Sequence, residues 1–150
     1  MKGLPPRIRP LVCVAALAAT LTLPVSGAAA TRPDAAREIQ TATEHAGFAV
    51  QADNLNLVHL HLQHAINCLT GPKGPGFDSP AGDPCQGQGN GALTDFTGNA
   101  REKRILKQAF RLARTGVHVD QYVPAHDVAE AVQSLLREAQ PAPAPAASRK

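Results

Sequence analysis

The segment His59-Leu-His-Leu-Gln-His-Ala-Ile-Asn-Cys-Leu69 holds half of the chain's six histidines. Neutral imidazole is a borderline donor suited to zinc, copper and nickel, so a cluster of this kind is where chemistry is expected. On a helix His61 and His64 are neighbours, three positions apart, whereas His59 lies well round the axis near the apolar edge. One helix therefore supplies at most a pair. A tetrahedral site needs a contribution from a second helix, and the candidates are His45, His118, His126 or a carboxylate such as Glu44. The expected metal set is His59, His61, His64 and His45, holding a copper, zinc or nickel ion, with affinity falling as the pH drops through about 6.5.

The competing reading is an interaction or structural module whose histidines only pack or bond singly. Heme is disfavoured, because there is no Cys-x-x-Cys-His motif and the only methionine is Met1. No nucleophile stands beside a histidine in a recognisable context, so no enzyme class is indicated.

Which cysteines are available depends on the compartment. Lys2, Arg7 and Arg9 precede an uncharged apolar run from Leu11 to Leu23, and small residues follow at Ser26 to Ala30. This is the pattern of a cleavable secretory signal over residues 1–30, cut after Ala28 or Ala30. The run is short of the ~20 residues that span a bilayer, so no stable membrane insertion is expected after cleavage. Cys13 leaves with the signal, and its setting is not that of a lipidated cysteine. Cys68 and Cys85 remain, and a periplasmic or secreted location makes a disulfide their default state, ahead of a metal-binding or redox thiolate at Cys68.

Charge narrows the partners. The chain carries 15 Lys plus Arg and 12 Asp plus Glu, and the excess is Lys2, Arg7 and Arg9, so residues from Thr31 onward are formally neutral. That removes the main warrant for nucleic acid. A metal ion and another periplasmic protein are the partners left.

The elements that must position these residues are helical. Residues 31–46 place Ala35, Ile39, Ala42 and Ala46 at helical spacing, with Asp34 and Glu38 suited to the positive end of the dipole. A second helix is expected from Asp53, as N-cap, to Leu69, along the stripe Leu55, Val58, Leu62, Ile66 and Leu69. Nothing between Gly47 and Asp53 is a strong breaker, so residues 34–69 fit either two helices or one bent one.

The stretch from Gly71 to Gly91 has seven glycines and four prolines, which excludes regular structure over most of it. It lacks the Gly-Lys-Ser/Thr ending of a phosphate loop, and Asp78 and Asp83 lack calcium-loop spacing. A third helix over residues 98–115 turns Ile105, Leu106, Ala109, Phe110 and Ala113 inward. Lys103, Arg104, Lys107, Arg111 and Arg114 form its basic, solvated face. A fourth over residues 124–139 buries Val128, Val132, Leu135, Leu136 and Ala139. The fold class expected is an all-α bundle of about four helices, two hairpins joined by a disulfide-closed Gly/Pro-rich loop, over residues 31–139, with residues 140–150 a Pro/Ala tail. Aromatic residues are only 3% of the chain, so its core must be aliphatic.

The run His59 to Gly71, followed by Gly76-Phe-Asp78, Pro84-Cys85 and Gly89-Asn-Gly-Ala92, resembles a segment of an uncharacterised family of small exported bacterial helical proteins. The resemblance covers about a third of the chain after the signal and implies that the histidine helix and the Gly/Pro loop form one unit. It carries no activity. The export reading predicts that intact-mass analysis of the secreted chain finds a start near Ala29 or Thr31 and no free thiol. A retained N-terminus, or alkylation of Cys68 before reduction, overturns it.

Overall fold

The computed structural model describes residues 33–140. The expected signal segment and all but Gln140 of the expected tail lie outside the described residues. Helices α1 (Ala35–Gln51), α2 (Leu55–Thr70), α3 (Ala92–Asp95), α4 (Ala100–Gly116) and α5 (Tyr122–Ala139) form a bundle, with no strand among the described residues. Helices α1 and α2 make one hairpin and α4 and α5 the other, and they close a ring because α1 also packs on α5 and α2 on α4. The single turn α3, which the periodicity did not reveal, bridges α1, α2 and α4.

Residues 34–69 are two helices, not one. The break is made by capping rather than by glycine: Asn54 Oδ1 accepts the Leu57 N–H at 3.0 Å, and Asn54 in turn donates to Asp53 Oδ1 at 2.7 Å. Asn54, not Asp53, is thus the N-cap, satisfying one of the donors that every helix start leaves open. Asp34 and Asn99 do the same for Arg37 and Glu102, each at 3.0 Å. Helix α1 runs past the expected end at Ala46, straight through Gly47. The Gln133 amide of α5 packs against that glycine, its Nε2 2.4 Å from where a Cβ would stand, a contact that the flexible side-chain end could relieve by moving.

The core follows the expected stripes. Ile39, Val58, Leu62, Ile66, Leu69, Leu106, Val132 and Leu136 are fully buried, with Ala42, Ala46, Ala65, Ala109, Ala113, Ala125 and Ala129 between them. Such small residues let helix axes approach closely. Phe110, Val128 and Leu135 are only partly buried, at the edges of this core. The basic residues Arg104, Lys107, Arg111 and Arg114 face solvent, as expected of a solvated face, whereas Lys103 is partly buried and its Nζ donates to Phe96 O at 3.4 Å.

The loop between α2 and α3 is ordered by successive turns and by the Cys68–Cys85 disulfide, whose Cα atoms are 5.2 Å apart. Its two ends cross at Gly71 and Gly91, both at positive φ. A Cβ on Gly71 would lie 2.0 Å from Asn90 O and one on Gly91 2.2 Å from Thr70 C, so side chains are barred there on two counts. Asn67, fully buried, fastens the middle of the loop: its Nδ2 donates to Asp78 O at 2.8 Å and Gly82 O at 2.6 Å, and its Oδ1 accepts the Asp78 N–H at 2.9 Å.

No helix among the described residues is long and apolar enough to cross a membrane. Replacing Cys68 and Cys85 together by serine should cost about 2–5 kcal/mol of unfolding free energy, read from urea melts. An unchanged midpoint would mean that Asn67 alone secures the loop.

Candidate metal centre

Three of the histidines meet across the first hairpin. His45 projects from α1 and His61 and His64 from successive turns of α2; all are partly buried, and one ligand nitrogen from each lies within 4.8 Å of the others. The Nδ1 of His45 is 3.2 Å from the Nδ1 of His64 and 3.5 Å from the Nδ1 of His61. Phe48 stands one helical turn below His45, its ring edge-on to that imidazole at 5.4 Å and 5.5 Å from the ring of His61.

The loop sets the orientation of His64. Its Nε2 donates to the carbonyl of Ala81 at 2.6 Å, so a neutral ring carries its proton there and turns a lone pair on Nδ1 toward His45. His45 Nδ1 faces two other nitrogens and has either one proton or one lone pair to offer them. It cannot satisfy both as a donor in good geometry. A cation at the centre would satisfy all three. Burial pushes His45 down to about 4, and the neighbouring His64 and His61 act in the same direction against the weaker pull of Glu44. Burial, then His64, also lowers His61. Both rings are neutral at pH 7, the form a metal requires.

His59 is placed apart from the group. Its Nε2 donates to Val119 O at 3.0 Å, tying α2 to the connection between α4 and α5. His126 Nε2 donates to Val50 O at 2.8 Å, and His118 is exposed, lining one depression with Arg114 and another with His59. His126, Asp127 and Glu130 form a second group with ligand atoms close together, but its two carboxylates are exposed. Glu44 is exposed and accepts from Gln40.

Two polar residues escaped the sequence reading. Asn67 was hidden because its neighbours in the chain are apolar on both sides. Glu38, read as a dipole residue, is 1% exposed: Oε1 accepts the Gly91 N–H at 2.8 Å while Oε2 has no hydrogen-bond partner among the described residues. The available signal was its position one turn before Ala42, on the apolar face. Burial raises its carboxyl from 4.5 to about 7; the Gly91 N–H opposes this, and Asp95, Asp34 and Asp83 add to it.

Comparison with protein-family models, curated proteins and solved structures finds no match.

The ionisable groups of α1 predict opposing pH effects. Between about 4.5 and 7 the folded state holds a proton on Glu38 that the unfolded state releases, so this residue's contribution to stability is lost as pH rises through that window. His45 acts the other way: the unfolded state takes up a proton below 6.5 that the folded state refuses until about 4, so stability is lost as pH falls. Glu38→Gln should remove the loss on the alkaline side of pH 6.5, and His45→Gln should flatten the acid limb. Urea melts from pH 4 to pH 8 check both; parallel curves for wild type and variants would refute the assignment.

Proposed function

We propose that this chain is an exported protein that binds a transition metal ion, zinc, copper or nickel, through His45, His61 and His64. One observation carries the reading. Zinc–nitrogen bonds of about 2.0–2.1 Å in a tetrahedron put two ligand nitrogens about 3.3–3.4 Å apart. The Nδ1 separations of 3.2 and 3.5 Å bracket that edge length.

The surroundings support it. Metal-bound imidazoles characteristically donate their second nitrogen to a carbonyl or carboxylate, and the Ala81 carbonyl does this for His64. The helix hairpin and the disulfide-closed loop hold the donors before any ion arrives, which lowers the ordering cost of binding. A disulfide and a signal-type N-terminus agree in pointing outside the cytosol.

The second reading, histidines that pack within an interaction module, draws on the same short contact between His45 and His64, taken as a hydrogen bond. Calorimetric titration of untagged protein with zinc and with copper separates the two. Tight binding of one ion per chain is expected, abolished in His61→Ala/His64→Ala with helical content retained, and little altered in His118→Ala. Binding no tighter than about 1 mM, or equal affinity in the double variant, would establish the packing reading instead.

A further inference from the structure

A three-histidine set leaves a tetrahedral ion one ligand short. Among the described residues no fourth histidine, cysteine or carboxylate joins His45, His61 and His64. The two cysteines among the described residues, Cys68 and Cys85, are consumed in the disulfide. The centre is also not sealed: the three rings are only partly buried. His61 and Phe48 form one wall of an open depression of about 480 Å³ that extends toward Leu57, Gln51 and Asp53 at the turn between α1 and α2. Phe48 and Leu57 are 45% and 39% exposed, so the rim is apolar.

Charge decides what would enter. Imidazole coordinates a metal as a neutral ligand, so a divalent ion held by the three would keep its full charge in a partly desolvated setting, where Coulomb attraction is stronger than in bulk water. A structural zinc site is closed by four protein ligands, whereas a site with three keeps a position for an exogenous one.

We infer that the ion held by His45, His61 and His64 keeps one coordination position open toward the Phe48–Leu57 depression, and that this position takes a small monoanion. The inference rests on the metal-binding reading above. The incoming anion displaces solvent from the ion with its lone pair; no oxidation state changes and no protein bond breaks. Glu44, adjacent to His45 in the chain, is a carboxylate whose movement could fill the position instead, and Asp53, which lines the depression, is a second.

Cobalt(II) is the probe, because its visible bands report coordination number and ligand exchange directly. The full disulfide-bonded protein, without a histidine tag, is loaded with cobalt(II) and titrated with sodium azide, with sodium perchlorate as the non-coordinating salt of equal ionic strength. The expected result is a set of tetrahedral-type bands that shift saturably with azide and not with perchlorate, in wild type and in Glu44→Gln alike. Bands that form but ignore azide in wild type overturn the inference while leaving metal binding intact. So does a shift seen only in Glu44→Gln, which would identify Glu44 as the fourth ligand, or cobalt-driven dimerisation without an azide response, which would identify a second copy as its source. Absence of cobalt bands, with no binding of zinc or copper by calorimetry, removes the metal-binding reading itself and this inference with it.

Discussion

The buried carboxamide of Asn67 is the joint on which the two halves of the structure turn. A Gly/Pro-rich segment has little apolar surface with which to fold itself, and its backbone amides and carbonyls are obligatory hydrogen-bonding groups. Asn67 answers both problems from inside α2, meeting Asp78 through both its N–H and its carbonyl, and Gly82 through its carbonyl. Gln63, one turn earlier, extends the contact by donating to Asn67 Oδ1 at 2.9 Å and to Gly76 O at 2.8 Å. The disulfide then fixes the loop one residue further along the helix. With the loop so placed, Ala81 stands where its carbonyl can take the His64 Nε2 proton. The orientation of an imidazole in the cluster is thus a consequence of a hydrogen-bonded amide one turn away.

Helix α1 carries the cost of this arrangement. It brings His45 to the cluster and Glu38 to the loop's far end, where the Gly91 N–H is the carboxyl's only partner among the described residues. Both groups pay for burial with a preference for the neutral form, one as an acid and one as a base. Their opposed shifts leave both interior groups mostly uncharged between about pH 4 and pH 7. For His45 that neutrality is what a ligand needs. For Glu38 it removes an unpaired buried charge, which is far more costly than a buried neutral carboxyl.

Much of the architecture was legible from residue spacing. The stripes Ile39 to Ala46, Val58 to Leu69, Ile105 to Ala113 and Val132 to Ala139 point inward, as a 3.6-residue period requires, and the disulfide pairs Cys68 with Cys85, as expected. The pairing of His61 with His64 was equally readable, because three positions on one helix settle it. What could not be read depends on elements that are distant in sequence. His45 was expected beside them as the contribution of a second helix, but what brings it there is the antiparallel register of α1 and α2. That His59 turns to Val119 rests on where the second hairpin docks. The continuation of α1 through Gly47 shows the same limit, since the side chain packed against it is Gln133 of α5, 86 positions away. Single-turn α3 is too short to show a period at all.

The disulfide has a further chemical consequence. Cys68 follows His64 by four positions, close enough on α2 for its thiolate to have been a ligand in a reducing compartment. Oxidised to Cys85, it is withdrawn from the donor pool, and the cluster is left with nitrogen alone. A mixed sulfur–nitrogen set would favour soft ions and carry negative charge that cancels the metal's own. An all-imidazole set does neither: it suits borderline divalent ions and leaves their charge uncompensated. The loop closure that gives the chain its stability and the ligand chemistry that the cluster can offer are therefore fixed by one covalent event, the pairing of Cys68 with Cys85.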